Sequence, residues 1–194
     1  MAVKIYGSNR IDLDGNNETF SIRATTDDEL NFYKGASTKL MGIDASGFES
    51  KPNVPAFFVY VLGDETYGNS WQKIKLANLS DSTGVTHGSS YINYDTHRFT
   101  APITGRYAFS AAATFAAGTN TDGTITIAKN GGLDGGRSSS WPESSYSALG
   151  GVGASYVLLL NTGDSAEIQI YFSSTGNTTR NTQFAGYFSG HFLG

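Results

Sequence analysis

The sequence predicts an all-β chain, an antiparallel β-sandwich or jelly roll preceded by a short β-rich arm, and three observations carry that expectation. Apolar residues recur with period two in run after run and nowhere with a helical period. The 194 residues include 24 Gly and only 4 Pro, and 13% are aromatic; with many Thr and Ser, this mixture favours short strands joined by tight turns. Turn signals such as Asp14-Gly15, Asn130-Gly131 and Thr162-Gly163 separate the runs.

Residues 1–54 read as an arm or shaft. Short strands KIY, TFSIRA, ELNFYKG and TKLMGI alternate with DGNNE and DASG turns, and large apolar residues are thin, mainly Ile5, Phe20, Ile22, Leu30, Phe32, Tyr33, Leu40, Met41 and Ile43. One copy of such a segment has little with which to build a core of its own. It is expected to serve attachment and to be completed by other chains.

Residues 55–194 read as a head. AFFVYVL opens it, and GRYAFSAAATF places Tyr107, Phe109, Ala111, Ala113 and Phe115 on one side of a strand. TITIAK brings Ile125 and Ile127 together before the Asn130-Gly131 hairpin signal. SYVLLL and AEIQIYF read as two strands around Thr162-Gly163, the second with Ala166, Ile168, Ile170 and Phe172 on one face. In the last run, QFAGYFSGHFLG, both faces are partly apolar, so both need cover. A second copy of the chain is the simplest cover for the face that the core does not use.

Charge and composition exclude several function classes. Only 15% of residues are charged and the formal net charge is -4, so the chain lacks the basic footprint of a nucleic-acid or acidic-membrane partner. With no Cys, stability rests on burial and association rather than disulfides. PAFFVYVLG and YVLLL fall far short of the ~20 residues of a spanning helix, so no membrane insertion is expected. MAVKIYGSNR has no apolar run behind its charge and does not read as a secretory signal.

One stretch carries a resemblance. YD followed by RFTAPITGRYAFS, with Pro102 and Gly105 turning a corner into the Tyr107/Phe109 strand, is similar to the signature of the complement C-one-q globular-head family, the jelly-roll domains related to tumour necrosis factor. That signature reads F, five residues, G, any, Y, any, F, any, then an aromatic. Phe99, Gly105, Tyr107 and Phe109 fit it, and Ala111 departs at the last place, which implies a smaller core residue there. PAFFVYV resembles the opening PAF strand of the family, IAKNGG its VKNG hairpin, LLLNTGDSAEIQI its LxLxxGDxVxL pair, and FAGYF its closing FSGFLL. The resemblance covers residues 55–193. It implies a homotrimer packed through the sheet that carries both chain ends, with Phe184, Tyr187, His191 and Leu193 as the interface residues of the last strand. A monomeric sandwich whose aromatic residues all share one core is the alternative.

Catalytic and metal-binding patterns are weak. There is no HExxH, P-loop, GxSxG or GxGxxG. His97 lies two residues from Asp95, as in many polar turns, and reads as a solvated turn histidine rather than part of a triad. Asp64-Glu65, or Glu143 with Asp134, could in principle flank a glycosidic bond, but nothing in their spacing favours it. Asp12, Asp14, Asn16 and Glu18 superficially resemble a calcium loop with its Gly too early, and a plain turn is the simpler reading. No catalytic set, metal site or cofactor is therefore expected, and the chain reads as no enzyme.

The Gly/Ser-rich insert at 131–153 places Arg137, Trp141, Glu143 and Tyr146 in a polar setting, the chemistry of a sugar or protein recognition loop. The alternative is a surface loop whose Trp141 packs down on its own sheet, since a single Trp often anchors a loop. A β-rich arm followed at once by such a head looks like the carboxyl-terminal organisation of bacteriophage fibre and appendage proteins. The leading expectation is a virion protein, assembled in the host cytoplasm, whose arm binds other virion proteins and whose head meets a host surface glycan or protein. A capsid decoration or cement trimer with no receptor role is the second; a bacterial adhesin or a glycan hydrolase trails both.

Overall fold

The computed structural model describes residues 2–6, 10–15, 18–24, 30–34, 38–44, 46–51, 54–63, 65–67, 70–78, 88–115, 123–133, 140–141, 150–172, 178–179 and 186–194. The chain divides into two compact units, Met1–Val54 and Pro55–Gly194.

The first unit is one antiparallel sheet in which each strand pairs with the next: β1 (Ala2–Tyr6), β2 (Arg10–Gly15), β3 (Glu18–Ala24), β4 (Leu30–Lys34), β5 (Thr38–Ile43) and β6 (Glu49–Ser50). Its register is informative. Val3 pairs with Leu13, Ile5 with Ile11, Ile11 with Ile22, Leu13 with Phe20, Ile22 with Phe32, Leu30 with Ile43, and Phe32 with Met41. Partners in a ladder share a face, so these apolar positions all fall on one side of the sheet. On the other side, the Arg23 guanidinium sits 4.6 Å from the Tyr33 ring centroid and its Nε donates to Ser21 Oγ at 3.1 Å. Ser21 and Asn31 are buried there, while Leu30 on the apolar side is 40% exposed. A register shift between Phe32 and Tyr33 accommodates one extra residue in β5.

The second unit is a two-layer antiparallel sandwich built from β7 (Ala56–Tyr60), β8 (Thr66–Tyr67), β9 (Gln72–Lys73), β10 (Ile92–Asn93), β11 (Arg98–Thr100), β12 (Gly105–Phe115), β13 (Gly123–Lys129), β14 (Ser140–Trp141), β15 (Gly150–Leu160), β16 (Ser165–Phe172), β17 (Thr178–Thr179) and β18 (Gly186–Phe192). One layer has the order β10-β11-β16-β13-β14, with β9 also pairing β16; the other has the order β15-β12-β18-β7; β8 and β17 form a separate pair. The core between the layers takes the inward half of each alternation: Tyr107, Phe109, Ala111 and Ala113 from β12, Ile125 and Ile127 from β13, Ala166, Ile168 and Ile170 from β16, and Phe57, Val59 and Phe188 from β7 and β18. Gly190 lies where a Cβ would meet the Phe57 ring at 2.6 Å and the Phe109 ring at 2.7 Å, so only Gly lets these two rings from the flanking strands pack over β18.

The signature residues form the centre of this core. Phe99 stacks on Phe57 at 4.8 Å between centroids and meets Tyr107 at 5.3 Å and Phe109 at 5.6 Å. Tyr107 is fully buried, and its hydroxyl donates to the Ile103 carbonyl at 2.7 Å, tying the strand back to the Pro102 corner. Gly105 opens β12. Ala111, the departure from the signature, stands opposite Phe188, whose ring fills the space and stacks on Phe109 at 5.7 Å.

Two turns differ in what they join. Asn130 and Gly131 both have positive φ, 51° and 80°, with Lys129 bridged to Gly132, the geometry of a tight type I′ hairpin turn. The turn at Thr162-Gly163 makes no hairpin: β15 belongs to one layer and β16 to the other, so this turn crosses the sandwich. Asp164 pins it, accepting from the Asn161 amide at 2.8 Å and from Asn130 Nδ2 at 2.8 Å, with Lys129 Nζ at 2.9 Å. Those hydrogen bonds, led by that from Asn130, hold its carboxyl down to about 2.

The glycine-rich texture of 131–153 is misleading at its far end. Gly150, Gly151 and Gly153 are strand residues opposite Phe115, Thr114 and Ala112, because a partner ladder can override the weak strand preference of Gly. Among the described residues no helix is long and apolar enough to cross a membrane.

Candidate assembly interface

The layer β15-β12-β18-β7 has an outward face that nothing in the described head covers. On β12 the outward residues are small or polar: Ala108, Ser110 and Ala112, framed by Arg106 and Thr114. The register sets Val157, Ser155 and Gly153 of β15 beside them on one side and His191, Ser189 and Tyr187 of β18 on the other. Beyond β18, Phe58 pairs with Ser189 and Tyr60 with Tyr187.

The centre of this face is therefore flat and its margins are apolar. Phe58 stacks on Tyr187 at 5.5 Å and meets Tyr60 edge-on at 5.3 Å. Tyr187 Oη and Ser110 Oγ share a hydrogen bond of 3.1 Å, and Ser155 Oγ donates to Ser110 Oγ at 3.3 Å. On the opposite margin Val157 is 52% and Leu159 61% exposed. Arg106 is the face's sole permanent charge among these residues, and no carboxylate stands on it. Small residues at the middle let a second surface approach the backbone, and aromatic and aliphatic rims supply area; both are features of surfaces buried by association.

The residues singled out from sequence are placed as follows. Tyr187 and His191 are on this outward face, and Leu193, 53% exposed, follows β18 with its amide donating to the Arg106 carbonyl at 2.8 Å. Phe184 lies outside the described residues, as do Arg137, Glu143 and Tyr146. Trp141 is in a strand, paired with Gly123 at the edge of the other layer. Val157, Leu159, Phe58 and Tyr60 were not picked out from sequence, although YVLLL and FFVY carry the signal that exposes them: large apolar residues at both parities of one strand.

The other layer carries a buried carboxylate. Glu167, 1% exposed, lies on the outer side of β16 and is held by Arg98 Nε, by Lys73 Nζ at 3.4 Å and by Gln169 Nε2 at 2.6 Å. Gln169 also donates to the Gly131 carbonyl at 3.1 Å, tying the cluster to the hairpin turn. Every partner is internal, so the cluster ties β9, β11 and β16 together rather than presenting a reactive group. His97 departs from its sequence reading. It sits in the turn with φ of 53°, but it is half-buried, and its Nδ1 accepts the Leu76 amide at 3.1 Å. Burial, with Lys73 and Lys75 nearby, pushes its imidazole below the usual value, so the acceptor form is the favoured one.

No family model matches the sequence, and no curated protein matches it. Among solved structures the chain is similar to the tumour necrosis factor Eiger of S. frugiperda, at 11% identity over 73% of this chain and 93% of that one, with a TM-score of 0.51. It is also similar to the globular domain of zebrafish complement 1qA protein, at 21% identity, TM-score 0.48, over 73% and 98% of the two chains, and to murine APRIL, at 12% identity, TM-score 0.47, over 71% and 99%. The likeness to Eiger, with the two antiparallel layers described above, makes the head a tumour necrosis factor-like jelly roll. What is shared at that identity is the fold.

Proposed function

We propose that the chain is a bacteriophage virion structural protein, a homotrimeric fibre or knob whose unit at 1–54 attaches to other virion proteins and whose head at 55–194 binds the host surface. The observation that carries the reading is the outward face of β15-β12-β18-β7, where Val157 and Leu159 stand exposed beside a flat centre of Ala108, Ser110 and Ala112. A lone head would leave this face in water; three copies packed around a common axis bury it, and repeated copies on one particle give weak surface contacts avidity. The one-sided apolar sheet of 1–54 supports the attachment role, since its Ile22, Phe32 and Met41 side needs a second layer. In this reading the protein has no catalytic activity and is carried on the virion after assembly in the host cytoplasm.

Sedimentation equilibrium of the full chain should give three times the 20.6 kDa chain mass, and Tyr187→Asp, which would bury an unpaired charge, should shift the mass toward the monomer. Antibody against the head should label particles at tails or vertices. A monomer at micromolar concentration, or particles free of label, would overturn the proposal. Label on every capsomer would favour a second reading, a capsid decoration or cement trimer, which the one-sided sheet of 1–54 suits equally well.

A further inference from the structure

A surface concavity of about 650 Å³ opens beside the edge strand β10, between the turn at Ser89–Tyr91 and the Pro102 corner. Its size falls within the roughly 300–1,000 Å³ of small-ligand sites. Two tyrosines, Tyr91 and Tyr94, line it, and both pack against the hydrophobic core; the Tyr91 ring meets Phe99 edge-on at 6.4 Å. Their backbone is fixed as well. Tyr91 N–H donates to the Gly88 carbonyl at 3.1 Å, Ile92 pairs with Phe99, and Asn93 Oδ1 accepts the Thr96 amide at 2.9 Å. Around these rings stand Asn78, Asn93, Asp95 and Thr100, all exposed.

We infer that this concavity is a binding site for a neutral saccharide unit of a surface glycan. The chemistry of the lining selects that class. The tyrosine rings offer apolar faces to a sugar ring, while amides, a hydroxyl and a carboxylate match the mixed donors and acceptors of vicinal sugar hydroxyls. Among the described lining residues there is no Lys, Arg or His, so a phosphate, sulfate or uronate ligand would meet the Asp95 carboxylate and no counter-charge from them. Asp95 is the one carboxylate among the described lining residues, too few for a calcium site, which takes 6–8 oxygen ligands in all. The rings are anchored to the core and the polar groups stand at the rim, so little order is lost when a ligand binds. The site names what the head of the proposed virion protein would recognise, and none of its described lining residues belongs to the 131–153 insert.

Saturation-transfer difference NMR on the full chain tests it, with glucose, galactose, rhamnose, N-acetylglucosamine and their short oligomers as neutral probes and glucuronate and glucose 6-phosphate as charged ones. At least one neutral probe should receive saturation, and an Asn78→Ala/Asp95→Ala chain with unchanged circular dichroism should bind it at least tenfold more weakly. Tyr94→Phe, which keeps the ring, should retain most of the binding. Three results overturn the inference: no transfer to any neutral probe, stronger binding of the charged probes, or loss of binding in Trp141→Ala while the rim variant binds normally. These readouts use purified protein, so they stand apart from the particle labelling and mass measurements that test the virion reading.

Discussion

The two units of this chain use the same alternation of apolar and polar residues and reach different ends. In the amino-terminal sheet every strand pairs with its neighbour in sequence, and the apolar partners line one face with no second layer among the described residues of the unit. In the head, strands far apart in sequence pair, β7 with β18 and β12 with both β15 and β18, so two layers close over one core. The residues of the two units are alike in kind: Ile22 against Phe32 in one, Ala111 against Phe188 in the other. Period two decides which residues share a face, but only the meeting of two faces removes them from water.

The largest effect should come from separating the units. Residues 55–194 alone should unfold in one cooperative transition, while 1–54 alone should lack one, followed by circular dichroism against temperature; a cooperative transition in the isolated 1–54 would show that one layer suffices. A matched pair of truncations then measures closure. Phe188→Ala, at a fully buried site, should cost about 3–5 kcal/mol in urea unfolding. Phe32→Ala, at a half-buried one, should cost about 1 kcal/mol, scaled to its smaller burial. Equal costs would mean that the apolar face of the first sheet is covered in solution.

Arg98→Met tests how the head closes its outer side. It should cost about 2–3 kcal/mol, less than the ~3–5 of stripping a buried carboxylate bare, because Lys73 stays 3.4 Å from Glu167. Tyr107→Phe should cost about 1 kcal/mol, the loss of one hydrogen bond to the Ile103 carbonyl.

The smallest effects are those of pH, and both run the same way. His97 and Asp164 each have a folded value below the ordinary one, so the unfolded chain binds protons first and stability falls with falling pH. The His97 contribution is complete above about 6.5 and declines as pH drops through that value, while the Asp164 contribution is lost between about 3.8 and about 2. His97→Asn, a residue that tolerates positive φ, should flatten the melting temperature against pH below 6.5; an unchanged profile would mean that the imidazole is protonated in the fold.

Much of the head is legible in the sequence because its signals are local. Alternation names the inward residues of β12, β13 and β16, and Asn130-Gly131 announces a turn whose positive φ values those residues favour. The candidate interface is legible only in part. Tyr187 and His191 stand out as the second parity of the last strand, but Val157, Leu159, Phe58 and Tyr60 join them only through pairings across the layer. The turn at Thr162-Gly163 reads as a link between two strands, and nothing near it tells that its strands part into different layers.

Local chemistry settled the strand periods, the tight turns, the all-β class and the aromatic signature of Phe99, Tyr107 and Phe109, since each depends on residues within a few positions of one another. The tertiary structure decided the rest: that Gly190 must be bare for Phe57 and Phe109 to meet beside it, that Glu167 draws Arg98 and Lys73 to a buried charge, and that a turn histidine becomes the acceptor for an amide 21 residues away. Each of these joins groups distant along the chain, and a sequence pattern carries no distance between two strands until the sheets have paired and closed.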